Sequence, residues 1–228
     1  MLPAPDMTSL ADRHWPDVEP ALLAVPLGAT EQHGPHLPLH TDTTIATALA
    51  RRLAERVPGV LVAPAVPYGS SGEHAGFPGT LSIGQDALEL LLVELARSAD
   101  HFAGVVFVNG HGGNLEPLRR AVRLLRAEGR RVFAWAPGGP ADDTHAGRTE
   151  TSVLLHLRPA DVRVDAAEPG DATPLPDLLD RLVDGGVRGV SPNGVLGDPT
   201  GASAEEGEAR LTTWGDALVA AVRGWLAG

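Results

Sequence analysis

Cysteine and lysine are both absent from this 228-residue chain, and all 18 of its basic residues are arginine. Without cysteine there is no disulfide, no thiolate zinc or iron–sulfur site and no thiol nucleophile. Without lysine there is no P-loop lysine, no Schiff base and no Ser–Lys dyad. No run of about 18 apolar residues occurs, so nothing reads as a membrane span. The segment Met1 to Asp12 has neither a basic start nor an apolar stretch, so no signal peptide is expected and the cytoplasm is the expected location. Acids outnumber bases, for a formal charge of −11, which argues against nucleic acid as the main partner. Carboxylate, imidazole, hydroxyl and guanidinium remain for chemistry, an inventory suited to metals bound through nitrogen and oxygen.

What is present reads as one α/β domain over residues 1–228. Its length suffices to bury a core without covalent staples. Four apolar, β-branched runs are expected as buried strands: Ala21 to Leu27, Val60 to Val66, Gly104 to Asn109 and Arg131 to Ala136. Helical periodicity separates them at Thr44 to Val57, Asp86 to His101 and Leu115 to Glu128, the last with Asn114 at the N-cap position. A further helix is expected over Arg148 to Leu157, a short one around Leu175 to Val183 and an amphipathic one over Ala204 to Leu226; Pro159 to Pro199 otherwise reads as loop. Strands alternating with helices predict a mostly parallel sheet, with functional loops at the carboxyl ends of its strands.

The polar chemistry clusters at those ends. After the first strand, Glu31 and His33 stand two residues apart, so extended backbone projects both to one side, and Asp42 follows at the head of the next helix. Together they make a sensible metal site; the competing reading is a polar loop in which Thr41 or Asp42 caps the helix. After the third strand, His111 lies in Asn109-Gly110-His111-Gly112-Gly113-Asn114. That segment lacks the third glycine of a dinucleotide-binding fingerprint, because Leu115 stands in its place. A third cluster runs from Asp142 to Ser152 and holds His145, Arg148 and Glu150. Taken alone, Glu150 fits the stabilising acid of a helix's first turn. Glu73 and His74 sit in a fourth, glycine-rich loop whose Gly69-Ser70-Ser71-Gly72 is not a hydrolase elbow. The arginine groups at 51, 52 and 56 and at 119, 120, 123 and 126 read as solvated helix faces, and His14, His101 and His156 as structural or surface residues.

In order along the chain, Thr30-Glu31-Gln32-His33-Gly34, Asp42, the Asn109 to Asn114 segment and His145-Ala146-Gly147-x-x-Glu150-Thr151-Ser152 resemble the creatininase family. Phe77-Pro78-Gly79-Thr80 and Asn193 to Pro199 fit it as well. The resemblance implies a three-layer α/β/α sandwich with a mostly parallel central sheet, a homo-oligomer of six or more chains, and a divalent-metal centre that hydrolyses amide bonds. Carried over by position, it implies Glu31, His33, Asp42, His111 and Glu150 as ligands, with Asp42 bridging. His145 is the implied proton donor, and Glu150 is grouped with it in catalysis. Gly113 stands where creatininase proper has a glutamate ligand, which puts creatinine as substrate in doubt. Within the family the motifs and short chain look most like a peptidase branch that removes a C-terminal dipeptide from a modified precursor peptide. A small cyclic amide or formamide as substrate, or a non-catalytic metal-binding scaffold, are the alternatives.

Charge counting adds an argument for two ions. With three carboxylates in the set, one divalent ion leaves the site net negative, whereas two ions and a hydroxide bring it to neutrality. Zinc, iron and manganese all accept such ligands. Backbone amides at Gly112 and Gly113 are expected to support an oxyanion, Arg148 to hold a substrate carboxylate, and His74 to border the substrate.

Overall fold

The computed structural model describes residues 8–228. The reading of Met1 to Asp12 therefore falls mostly outside the described residues. Four strands, β1 (Leu22–Leu27), β2 (Val60–Val62), β3 (Gly104–Asn109) and β4 (Val132–Trp135), form an all-parallel sheet in the order β2-β1-β3-β4. Successive strand residues point to opposite faces, and both faces are covered. Leu22, Ala24, Val106 and Val108 pack with α1 (Thr41–Arg56), α4 (Arg148–Leu157) and α6 (Ala204–Ala227). Leu23, Val25, Leu27, Val105 and Phe107 pack with α2 (Gln85–Ser98) and α3 (Leu115–Ala127) on the other face. This is the expected layered α/β architecture. No helix among the described residues is long and apolar enough to cross a membrane.

Four local expectations change. β2 stops at Val62, because Pro64 has no amide to continue the ladder; Val66 returns only for an isolated bridge to Leu27. α1 begins three residues early, with the Thr41 amide and hydroxyl both donating to the Pro38 carbonyl, so Asp42 lies inside its first turn. α5 runs from Leu175 to Val190 rather than ending near Val183, interrupted only at Gly186 (φ +60°). Its apolar face closes a small separate cluster with Phe77 and Leu196. Asn114 holds the cap position but caps nothing with its side chain: the amide donates to Gly28 O and Asn109 Oδ1 and accepts from the Ser70 amide. It thus ties the loops after β1, β2 and β3 together.

The first crossover, through α1, leads from β1 to β2, and the second leads back past β1 to β3. The strand order therefore reverses between β1 and β3, where open parallel sheets form a crevice at their carboxyl ends. α1 enters that crevice at very close range. A Cβ on Gly28 would lie 2.4 Å from Thr43 Cα, and one on Gly110 would lie 2.5 Å from Asp42 O. Glycine at both strand ends is what lets the first turn of α1, and Asp42 with it, sit between the two loops.

Candidate metal centre

Five separated positions converge on the crevice. Glu31 and His33 come from the loop after β1, Asp42 from the first turn of α1, His111 from the residue pair after β3, and Glu150 from the first turn of α4. Glu31, His33, Asp42 and His111 are buried, and Glu150 is partly so. Asp42 lies at the centre: its Oδ1 is 3.0 Å from His33 Nε2, and its Oδ2 is 3.3 Å from His111 Nδ1. Glu31 Oε2 lies 3.2 Å from His111 Nε2, and Glu150 Oε2 lies 3.9 Å from His33 Nε2. Ligand atoms of Glu31, Asp42 and His111 fall within 4.8 Å of one another, as do those of His33, Asp42 and Glu150. These two groups share only Asp42, and a third grouping, Glu31, His33 and His145, takes one residue from each and adds His145.

The donor atoms fit a cation better than they fit one another. Both oxygens of Glu31 and Oδ2 of Asp42 are buried with no hydrogen-bond partner, although imidazole nitrogens stand close by. Leaving buried acceptors unpaired costs about 1–3 kcal/mol each, more when they are charged. Oxygen and imidazole donors in this number suit a divalent ion. Backbone carbonyls hold both imidazoles from behind. Nδ1 of His33 lies 3.1 Å from the Glu31 carbonyl and Nε2 of His111 lies 2.9 Å from the Ser70 carbonyl; each carbonyl can only accept. The opposite nitrogens are thereby turned to Asp42.

Electrostatics record the crowding. Burial first of all, then the nearness of Asp42, pushes the Glu31 carboxyl up to about 8 against the relief from His111. Burial likewise pushes Glu150 up to about 7. Burial opposes charge on His33 and His111, but Asp42 and Glu31 respectively outweigh it and hold each imidazole at about 10. Asp42 sits well below the carboxylate range: burial would raise it, but His33 and His111 prevail. His74 and His145 go the other way. Burial, then the nearby charge on His33, lowers His74 to about 3 and takes His145 well below the usual imidazole range.

His145 lies within reach of Glu31, with Nδ1 3.7 Å from Oε1. Its backbone pairs with Leu196, so the Asn193 to Pro199 segment holds it extended. The next residue, Ala146, adopts φ +52°, in the left-handed region, and its amide donates to Glu150 Oε2 at 2.6 Å. One strained turn thus orients both His145 and Glu150. A cavity of about 400 Å³ opens beside them, bordered by Gly112, Pro137 to Ala141, Leu175 and Trp214.

The other expected residues divide. Gly112 is exposed and borders the cavity; Gly113 lies behind His111, where a Cβ would meet Ser70 O at 2.1 Å. His74 is buried, with Nε2 3.3 Å from Glu31 Oε1. Arg148 is not brought to the cavity: its guanidinium is exposed and donates to Glu206 Oε2 at 2.8 Å. Two residues assigned no role from the sequence are close to the centre. Glu73 Oε1 approaches His111 Nε2 to 3.5 Å, and Gln32, buried between Glu31 and His33, touches both His74 and His145. The Glu-Gln-His triplet itself was the available signal for Gln32, since a polar residue flanked by two buried polar side chains is drawn into the same interior.

Known proteins share this arrangement of chain. The family model described as creatininase, creatinine amidohydrolase, matches residues 11–222. The mycofactocin precursor peptide peptidase of Mycobacterium ulcerans (strain Agy99) is 53% identical over 222 residues, covering 93% of this chain and 88% of that protein. A solved structure titled creatininase Mn superposes with a TM-score of 0.78 at 28% identity, covering 95% of this chain and 98% of the other. A mutant creatininase described as Zn–Zn type gives a TM-score of 0.75 at 27% identity, covering 95% and 97%.

Proposed function

Because this chain belongs to the creatininase family, we propose that it is a metal-dependent peptidase of mycofactocin maturation, hydrolysing an amide bond of a modified precursor peptide and releasing its C-terminal dipeptide. The whole of residues 1–228 acts as one catalytic domain in this reading. The observation that carries the hydrolytic part is Asp42, whose two oxygens face two different ligand groups. That placement supports two divalent ions per chain, zinc, iron or manganese. Glu31, Asp42 and His111 would hold one, and His33, Asp42 and Glu150 the other. The peptide substrate is supported by the 53% identical relative, which covers nearly all of the chain.

Bound in this position, such ions acidify water and polarise a carbonyl. The rest falls to the chain itself. His145 is buried and neutral, and its Nε2 faces the Gln32 carbonyl at 2.9 Å, so that nitrogen carries the proton. Its Nδ1 is therefore free to accept a proton from the attacking water and to pass it to the leaving nitrogen as the C–N bond breaks. Glu150 is fixed by the Ala146 amide beside the same histidine. The amide of Gly112, a residue of the cavity wall, would support the developing oxyanion. A cavity of about 400 Å³ is of the size that holds small ligands, consistent with a dipeptide-sized group.

The test is incubation of metal-replete protein with the modified precursor peptide, with and without chelator, read by mass spectrometry. Release of a dipeptide only without chelator is expected. Hydrolysis of a small cyclic amide or formamide in place of the peptide would move the chain elsewhere in the family, and tight metal binding with no hydrolysis would make it a scaffold. Elemental analysis should find two ions per chain in active protein, and a single ion would remove the bridging role of Asp42. Light scattering tests the homo-oligomer of six or more chains that the family resemblance implies.

A further inference from the structure

The amide of Gln32 is held in one orientation by backbone groups on both sides. Its Oε1 accepts from the Gly34 amide at 2.9 Å, and its Nε2 donates to the Gly194 carbonyl at 3.0 Å. Neither partner can exchange its role, so oxygen and nitrogen are assigned without ambiguity. Gly194 is at φ +81°, and a Cβ there would lie 2.0 Å from Gln32 Oε1, so only glycine admits the amide at this depth. One N–H of the carboxamide remains. Two imidazole nitrogens lie within reach of it: His74 Nδ1 at 2.9 Å and His145 Nε2 at 3.0 Å.

The backbone of the same residue decides between them. His145 Nε2 is also 2.9 Å from the Gln32 carbonyl, which can only accept, so that nitrogen bears a hydrogen and is no acceptor for the amide. The remaining N–H of Gln32 therefore goes to His74 Nδ1. His74 must then carry its own hydrogen on Nε2, the nitrogen that faces Glu31 Oε1 at 3.3 Å. His145 is left with an open Nδ1 on the side of Glu31.

We propose that Gln32 is a positioning residue that sets the tautomers of two imidazoles at once, His145 through its backbone carbonyl and His74 through its side chain. His74 thereby presents an N–H to the outer oxygen of Glu31 while His145 presents a lone pair to the reacting groups. The inference rests on the hydrolase reading above for its consequence in catalysis, but not for its geometry. With the amide removed, His74 is free to place its hydrogen on Nδ1 and to turn a lone pair on Glu31, which loosens a carboxylate whose Oε1 has His74 Nε2, at 3.3 Å, as its nearest imidazole nitrogen. Outer partners of this kind are worth about 10–100-fold in affinity or activity.

The test uses zinc-loaded, full-length protein labelled with ¹⁵N-histidine, in which long-range ¹H–¹⁵N correlations report the tautomer of each ring. Unmodified protein should show hydrogen on Nε2 of both His74 and His145. Gln32→Met keeps the volume and removes the donor. It should leave His145 as it was, move His74 away from pure Nε2–H, and lower kcat about 10–100-fold with KM and metal content little changed. Gln32→Glu, if it folds, should shift the His74 hydrogen fully to Nδ1, since a carboxylate oxygen then faces that nitrogen. Hydrogen on Nδ1 of His74 in the unmodified protein overturns the proposal without recourse to any variant. So does a Gln32→Met protein with unchanged tautomers. If the tautomers are as stated and the precursor peptide is not cleaved, the peptidase reading fails and this one stands, with kcat read on whichever amide is hydrolysed.

Discussion

Gly207, in the first turn of α6, is the point where that helix touches α4. A Cβ at this position would lie 1.9 Å from Ser152 O, 2.4 Å from Ser152 C and 2.9 Å from Val153 Cα. All three are backbone atoms of α4, so no change of rotamer relieves the clash, and the helices must part by about 1.5 Å to reach ordinary contact. Overpacking of a closed interface typically costs about 1–3 kcal/mol and more where backbone has to move, while alanine in place of glycine inside a helix returns about 1 kcal/mol. Gly207→Ala should therefore lose about 2 kcal/mol, or about 4–8 °C in Tm for a chain of this length. Gly224, in the same helix, is the control: nothing lies within 4 Å of its Cβ position, so Gly224→Ala should stabilise by up to about 1 kcal/mol. Because Glu150 stands two residues before Ser152 in α4, Gly207→Ala should also weaken metal binding. Urea unfolding of both variants without metal, followed by metal titration, measures both effects. Gly207→Ala at or above the unmodified stability would falsify the argument that this helix contact sets the position of Glu150.

Asp42→Asn leaves one oxygen where two are needed. Bound metal should fall to one ion per chain or fewer by elemental analysis, and hydrolysis by about a thousandfold, equivalent to about 4 kcal/mol; two retained ions would refute a bridging Asp42. Chelation should lower Tm, because ligands that bind only the folded state stabilise it by about 4 kcal/mol at a thousandfold excess over Kd. An unchanged melting curve would mean that the cluster holds no metal in the native protein. Arg148→Ala removes only an exposed pair with Glu206, so stability should change by less than about 1 kcal/mol and KM for the peptide should stay the same. A tenfold rise in KM would restore the carboxylate-holding role.

The features legible in the sequence were those with a local cause. β3 and α4 appear with the expected bounds, since a β-branched run and a glycine-flanked amphipathic turn each declare themselves within a few residues. The Glu31 and His33 pair, Asp42 and His111 were visible from the residues alone, because each follows a strand end or opens a helix; Glu150 by itself reads as a helix-start acid and joins them only through the family resemblance. What was not legible depended on distant partners. Asn114 looks like a helix cap until the loops after β1 and β2 are brought beside it, and α5 continues past Val183 because Val187 and Val190 find Leu178 and Leu196 to pack against. Arg148 stands three residues after His145 in sequence, yet the helix start turns its side chain toward α6. Gln32 lies between Glu31 and His33, and its partners come from residues 74, 145 and 194, far away in sequence.

The five candidate ligand positions, spread from residue 31 to residue 150, also set a timetable for the chain during synthesis. Glu31, His33 and Asp42 leave the ribosome early, but His111 arrives only with β3 and Glu150 only with α4. α4 in turn is seated by α6, at the far end of the described fold. A partly made chain therefore offers a passing metal ion a few weak oxygen and imidazole contacts and no cage. Capture of an ion by this cluster would wait until the last helix has docked, so an ion would select finished molecules and have little hold on fragments.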